Sequence, residues 1–181
     1  MRAAVALTIS AFAAGGCGAS HEHERPATRQ SPLAQAQATH EYPSPSPPPQ
    51  TAAAAAHAPI EAIRAFATAY INWDAQTVAA DMRSLAAAAV GQARAAMILA
   101  AAETAGDYEL QRGGIANRGT VEAIAPRPSR PREFIVVTLE STTATNTTAY
   151  QGLRPAWHVA LATVAEQSPG QWVLSGWQPE N

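Results

Sequence analysis

The sequence predicts an α+β domain in which three N-terminal helices pack on a curved antiparallel sheet of about four strands. Two observations carry the prediction. Between Pro59 and Ala105 apolar residues recur at helical spacing among many alanines, and after Gly113-Gly114 the chain turns to β-branched and aromatic runs separated by short turn signals. Helices first and strands second is the order of a layered α+β fold, and short connections join antiparallel neighbours.

The chain has 181 residues and a formal charge of −2. Residues 1–16 read as an export leader: Met1-Arg2 is a positive start, Ala3 to Ala14 an apolar stretch, and Gly15-Gly16 an unhindered backbone before Cys17. The apolar stretch falls short of the roughly 20 residues a membrane span needs. This arrangement resembles the lipobox of bacterial lipoproteins. The resemblance implies cleavage before Cys17 and a diacylglycerol on its sulfur, a two-chain anchor strong enough to hold the protein on a membrane. Cys17 is the only cysteine, so it has no partner for an internal disulfide. The alternative is plain secretory cleavage after Ala14, which leaves a free thiol.

Residues 17–58 read as a lipid-anchored linker. They offer little to pack and include Pro43-Ser44-Pro45-Ser46-Pro47-Pro48-Pro49, which favours a semi-rigid polyproline spacer. Within the linker, His21-Glu22-His23-Glu24 places imidazoles and carboxylates on opposite sides of an extended chain, too few on one side for a compact metal site. A solvated stalk is the simpler reading, and no cofactor is implied anywhere in the chain.

The domain proper is expected over 59–181. Pro59 suits a first helical turn, and Ile60, Ile63, Ala67, Tyr70 and Ile71 form one apolar face. Asp74 is a candidate N-cap for a second helix carrying Val78, Met82 and Leu85. A third helix is expected from Ala86 to Ala105, with Val90, Met97, Ile98 and Leu99 among small residues, a stop at Gly106, and Gly91 as a candidate break. Strands are expected at Thr120 to Ala125, Arg132 to Thr143, Trp157 to Val164 and Trp172 to Trp177. Pro126 to Pro131, the Asn146 to Gly152 region and Ser168-Pro169-Gly170 supply the turns.

This order of elements resembles the nuclear-transport-factor-two-like superfamily, the cone-shaped fold shared with ketosteroid isomerase. The tracts Phe66 to Trp73 and Gly106-Asp107-Tyr108-Glu109-Leu110 also look like actinobacterial lipoproteins and conjugal-transfer proteins carrying that domain. The resemblance implies an envelope protein with a protein partner, and a homodimer is compatible with it. Enzymes of the superfamily use an Asp or an Asp-His pair in the mouth of the cone. The groups available here are Asp74, Asp81, Asp107, Tyr70, Tyr108 and His158, and no nucleophile-base spacing joins them.

Two further groupings offer surfaces. Trp157, Trp172 and Trp177 fall on successive strands and are expected on the concave face with Met97 and Leu99, where with Tyr70, Tyr108 and His158 they would line an apolar pocket or simply fill the core. Arg127, Arg130 and Arg132 alternate with Pro126, Pro128 and Pro131 at a hairpin tip that would suit an acidic partner or anionic headgroups. All twelve basic residues are Arg; with an acidic net balance this is no nucleic-acid footprint. The reading that fits best is a membrane-tethered, non-catalytic lipoprotein whose domain contacts another protein, with a small-molecule carrier as the alternative and a lyase or isomerase behind it.

Overall fold

The computed structural model describes residues 48–180. Cys17, the leader and the His21 to Glu24 tract lie outside the described residues. Among the described residues there are four helices and a sheet of five strands, the first strand lying between the first two helices: α1 (Pro59–Ile71), β1 (Trp73–Asp74), α2 (Val78–Ala87), α3 (Gly91–Ala105), α4 (Tyr108–Gly113), β2 (Ile115–Arg127), β3 (Arg130–Ala144), β4 (Ala156–Ser168) and β5 (Gln171–Glu180). The strands pair antiparallel in the order β1-β2-β3-β4-β5, a plain meander. Among the described residues no helix is long and apolar enough to cross a membrane.

Each helix follows from its residues, with corrections to the expected pattern. In α1 the buried stripe is Ile63, Phe66, Ala67 and Ile71 with half-buried Tyr70, a run at i, i+3, i+4, i+7 and i+8. Ile60 lies outside that stripe and is exposed. Asp74 sits in β1 rather than directly at the helix start, yet it caps the turn into α2, because its Oδ1 accepts from the N–H groups of Gln76 (3.0 Å) and Thr77 (3.1 Å). The expected helix from Ala86 to Ala105 is two pieces. Ala88 to Val90 leave the helix to meet β5, where the Val90 N–H donates to the Leu174 carbonyl at 2.9 Å, and Gly91 restarts the helix at φ +58°. α4 was unexpected: Asp107 caps it through Leu110 N–H at 2.9 Å, and Gly114 closes it in the left-handed region.

The strands run further than their β-branched centres. β2 begins at Ile115 and reaches Arg127, and the hairpin tip shrinks to Pro128-Ser129, with Ser129 at φ +64°. The folded body also begins before Pro59. Ala56 pairs with Trp172 on the edge of β5, Ala53 N–H donates to Ala87 O at 2.8 Å, Ala52 is buried, and Gln50 accepts from Gly91 N–H at 2.7 Å. The last residues of the expected linker thus form a strap across the domain.

One core results. Ile63, Phe66 and Ala67 of α1, Met82 and Leu85 of α2, and Ala93, Met97 and Ala101 of α3 pack against Phe134, Val136, Ala160, Ala162, Val164, Leu174 and Trp177. Alanines at these contacts let the helices sit close to the sheet. Beyond the short β1 on one side, and beyond the strap and Val90 on the other, a helix-end amide covers one further residue of β2 and of β5. Asn72 accepts from Gly119 N–H and donates to Gly119 O, both at 3.1 Å; Gln92 accepts from Trp177 N–H at 2.8 Å and donates to Trp177 O at 3.2 Å.

Candidate functional site

Strand register decides which side chains face the helices. Along β3, Phe134, Val136 and Thr138 are buried under the helices, so Ile135, Val137 and Leu139 point to the other face. Pairing with β4 sets Ile135 opposite Leu161, Val137 opposite Val159 and Leu139 opposite Trp157. These three cross-strand pairs form a contiguous apolar patch, and none of their residues belongs to the core cluster. Trp157 is 64% exposed and Val159 40%, while the other four are half-buried against their neighbours. Exposed Ala123 and Ala125 extend the patch on β2, and Gln178 and Glu180 border it on β5.

The arginine tip lies at one end of this patch, two residues from Ile135. Arg127 Nη1 and Arg130 Nη1 each donate to a different oxygen of Glu133, at 2.9 and 2.8 Å. The Arg130 hydrogen bond is the main cause that lowers the Glu133 pKa; burial opposes it, and Arg127 adds to it. Arg132 lies on the alternate side of β3 and is exposed. The three arginines expected to present themselves together therefore divide, two neutralised in part by Glu133 and one left to solvent.

The residues expected to line a pocket do not converge. Trp157 is on the outer face, not the concave one, because Leu139 is its partner. His158 falls on the helix side opposite Thr138 but is exposed, beyond the helices' cover. Among the described residues no hydrogen bond or ion pair joins it to Asp81 or Asp107, whose positions are the first turn of α2 and the cap of α4. Tyr108 is 66% exposed on α4, with Arg112 over its ring at 5.9 Å. Tyr70 stacks on Phe66 and meets Trp177 edge-on at 5.2 Å, so it completes the core; burial chiefly raises its pKa, with the Glu140 charge adding. Trp177 and Met97 are core residues, whereas Leu99 is 59% exposed. Trp172 is half-buried on β5.

A polar ladder at the end of the helix-facing side had no sequence signal. Glu140 accepts from Thr138 Oγ1 at 2.6 Å and from Asn117 Nδ2 at 2.7 Å; Asn117 also donates to Ile71 O and accepts from Thr142 Oγ1. Each Glu140 oxygen is thus held by a neutral donor, which fixes α1 to β2 and β3 rather than freeing a base. Among the described residues no cluster of metal-ligating side chains occurs.

Neither the family models nor the curated proteins compared with the chain yield a match. Among solved structures the chain is similar to the Agrobacterium tumefaciens VirB8 protein, at 13% identity and a TM-score of 0.46, covering 67% of this chain and 88% of that one. It is also similar to a domain of unknown function with a cystatin-like fold from Nostoc punctiforme, at 15% identity and a TM-score of 0.44, covering 66% and 75%.

Proposed function

We propose that this chain is an exported, lipid-anchored protein that docks onto a protein partner of the cell envelope through the outer face of its sheet. The observation that supports the reading is the set of paired apolar side chains on that face, with Trp157 and Val159 in solvent. A contiguous apolar patch rimmed by polar groups is unfavourable on a lone soluble protein and becomes favourable once covered. Trp157 has the size and polar handle of an interface anchor at one end of the patch, and the Arg127-Arg130-Glu133 cluster at the opposite end, next to the Ile135–Leu161 pair, supplies a charged rim that sets orientation. The resemblance of the sequence to conjugal-transfer proteins directs the search for a partner toward conjugation or secretion assemblies.

The test is a photo-crosslinking side chain at Val159 in the full chain in cells, with the same group at Arg83, exposed on α2, as the contrast. The expected result is a discrete crosslinked protein from Val159 only, reduced more than about tenfold by Trp157→Asp. Capture of a second copy of the chain would identify the partner as itself. Equal products from both positions, or none, would overturn the reading. The anchor is tested separately, since Cys17→Ser is expected to release the protein from membranes, and continued sedimentation with them would count against it.

A further inference from the structure

Outside the docking face, a groove of about 430 Å³ runs between α1, α2, the strap and the edge of β5. It lies beside the sheet edge rather than within the cone, and of the expected pocket residues only Trp172 lines it. Its size falls in the range of small-molecule sites. Phe66, Leu85 and Leu174 form an apolar floor, and alanines of α1 and of the strap form the walls. Water there finds few hydrogen-bond partners, so an apolar body that displaces it gains free energy.

The polar side chains of the groove specify the ligand's other end. Asn72 has both amide protons committed, to Thr68 O at 2.8 Å and Gly119 O at 3.1 Å. Ser84 Oγ donates its proton to Ala80 O at 3.0 Å. What Asn72 and Ser84 have left to offer is therefore acceptor capacity, and Asp81, the one charged residue of the lining, is an acceptor only. The indole of Trp172 is the single side-chain donor, and its ring face attracts cations. A ligand with a donor-rich positive end satisfies this set; a carboxylate or phosphate would face Asp81 with like charge.

We propose that this groove binds a small amphiphilic cation, an apolar chain or ring bearing an ammonium group, with the ammonium at Asp81 and the apolar body over Phe66 and Leu85. The site is independent of the docking face, because the two share no residue: the groove is lined by α1, α2, the strap and the start of β5, the patch by the outer face of β3 and β4. Three probes of six carbons each test it by calorimetry on the full chain: hexylammonium, hexanol and hexanoate. Hexylammonium is expected to bind at least about threefold tighter than hexanol, the effect of one partly exposed ion pair with an aromatic contribution, and hexanoate weakest. Asp81→Asn is expected to bring hexylammonium to the level of hexanol without moving hexanol. Ala65→Phe, at an exposed position of the α1 wall, is expected to weaken all three by filling the groove. Absence of saturable hexylammonium binding, equal affinity for hexylammonium and hexanol, or an ammonium preference that survives Asp81→Asn would each overturn the proposal.

Discussion

A primary amide carries the same donor and acceptor pair as a peptide group, and Asn72 and Gln92 use theirs as a missing neighbour strand would. Each satisfies both backbone groups of one edge residue, Gly119 and Trp177. Removing either amide leaves edge groups unpaired next to the core, so Asn72→Ala and Gln92→Ala are each expected to cost about 1–3 kcal/mol in urea unfolding. The close approach at Gly119 is just as local: an added Cβ would lie 2.7 Å from the Leu139 carbonyl oxygen, whereas one at Gly106 meets nothing within 4 Å. Gly119→Ala is therefore expected to lower the melting temperature by several degrees and Gly106→Ala to leave it within about a degree. Asp74 gives a pH signature. Burial alone would raise its pKa, but the N–H groups of Gln76 and Thr77, the Thr77 hydroxyl and the Arg118 charge together hold it below the ordinary value. A carboxylate depressed in the folded state stabilises fully above its unfolded pKa of about 3.9 and loses that contribution as pH falls through the folded pKa. Asp74→Asn should therefore flatten the decline in melting temperature measured from about pH 5 to pH 2; an unchanged slope would remove Asp74 from the acid response.

At the scale of elements, the break between α2 and α3 is held by Arg94. Its Nε donates to Ala89 O at 2.8 Å and Ala86 O at 3.1 Å, and its Nη2 to Thr51 O at 2.7 Å, which ties the end of α2 and the strap to α3 at once. Arg94→Met keeps the aliphatic stem but strands those carbonyls; an expected loss of about 1.5–3 kcal/mol would come with faster amide exchange at Ala53 and Ala56 than elsewhere. The same elements show what the sequence could reveal. α1 was legible because its stripe repeats at 3.6, and α4 could have been found from Asp107 three residues before Leu110 with Gly113-Gly114 behind it. The break at Ala88 to Val90 was not legible, since its cause is Leu174, more than eighty residues away in sequence and across the domain. The strap was equally silent: Ala52 to Ala56 have no periodicity, and their pairing is decided by the exposed edge of β5. The outer face was legible as strands but not as a face. Phe134-Ile135-Val136-Val137 is apolar at every position, so alternation could not say which side Trp157 would take; the register with Leu139 settles it.

At the scale of the whole molecule, the domain is a single helix layer on one side of a meander whose other side carries an apolar patch, and along the two outer strands side-chain amides cover Gly119 and Trp177 where β1, the strap and the Ala89-Val90 turn do not pair. Substitutions that open an edge and substitutions that make the outer face polar should therefore act in opposite directions on self-association. Asn72→Ala is expected to raise light scattering during heating, and a Val137→Thr, Val159→Thr pair to lower it; the reverse order would mean that association runs through neither feature. The strap adds a property of a different kind. A steady pull on the chain from its N-terminal side meets Gln50 to Ala56 before it meets any strand of the sheet, and the strap's hydrogen bonds are met one after another along the chain, at Gln50, Thr51, Ala53 and Ala56. Such bonds give way singly, as a zipper does, and releasing residues 50–57 would lengthen the chain on that side by about 25 Å while the sheet stayed intact. The same release removes the Ala54 to Ala56 wall from the groove, so mechanical tension on the N-terminal side and occupancy of the groove would oppose one another.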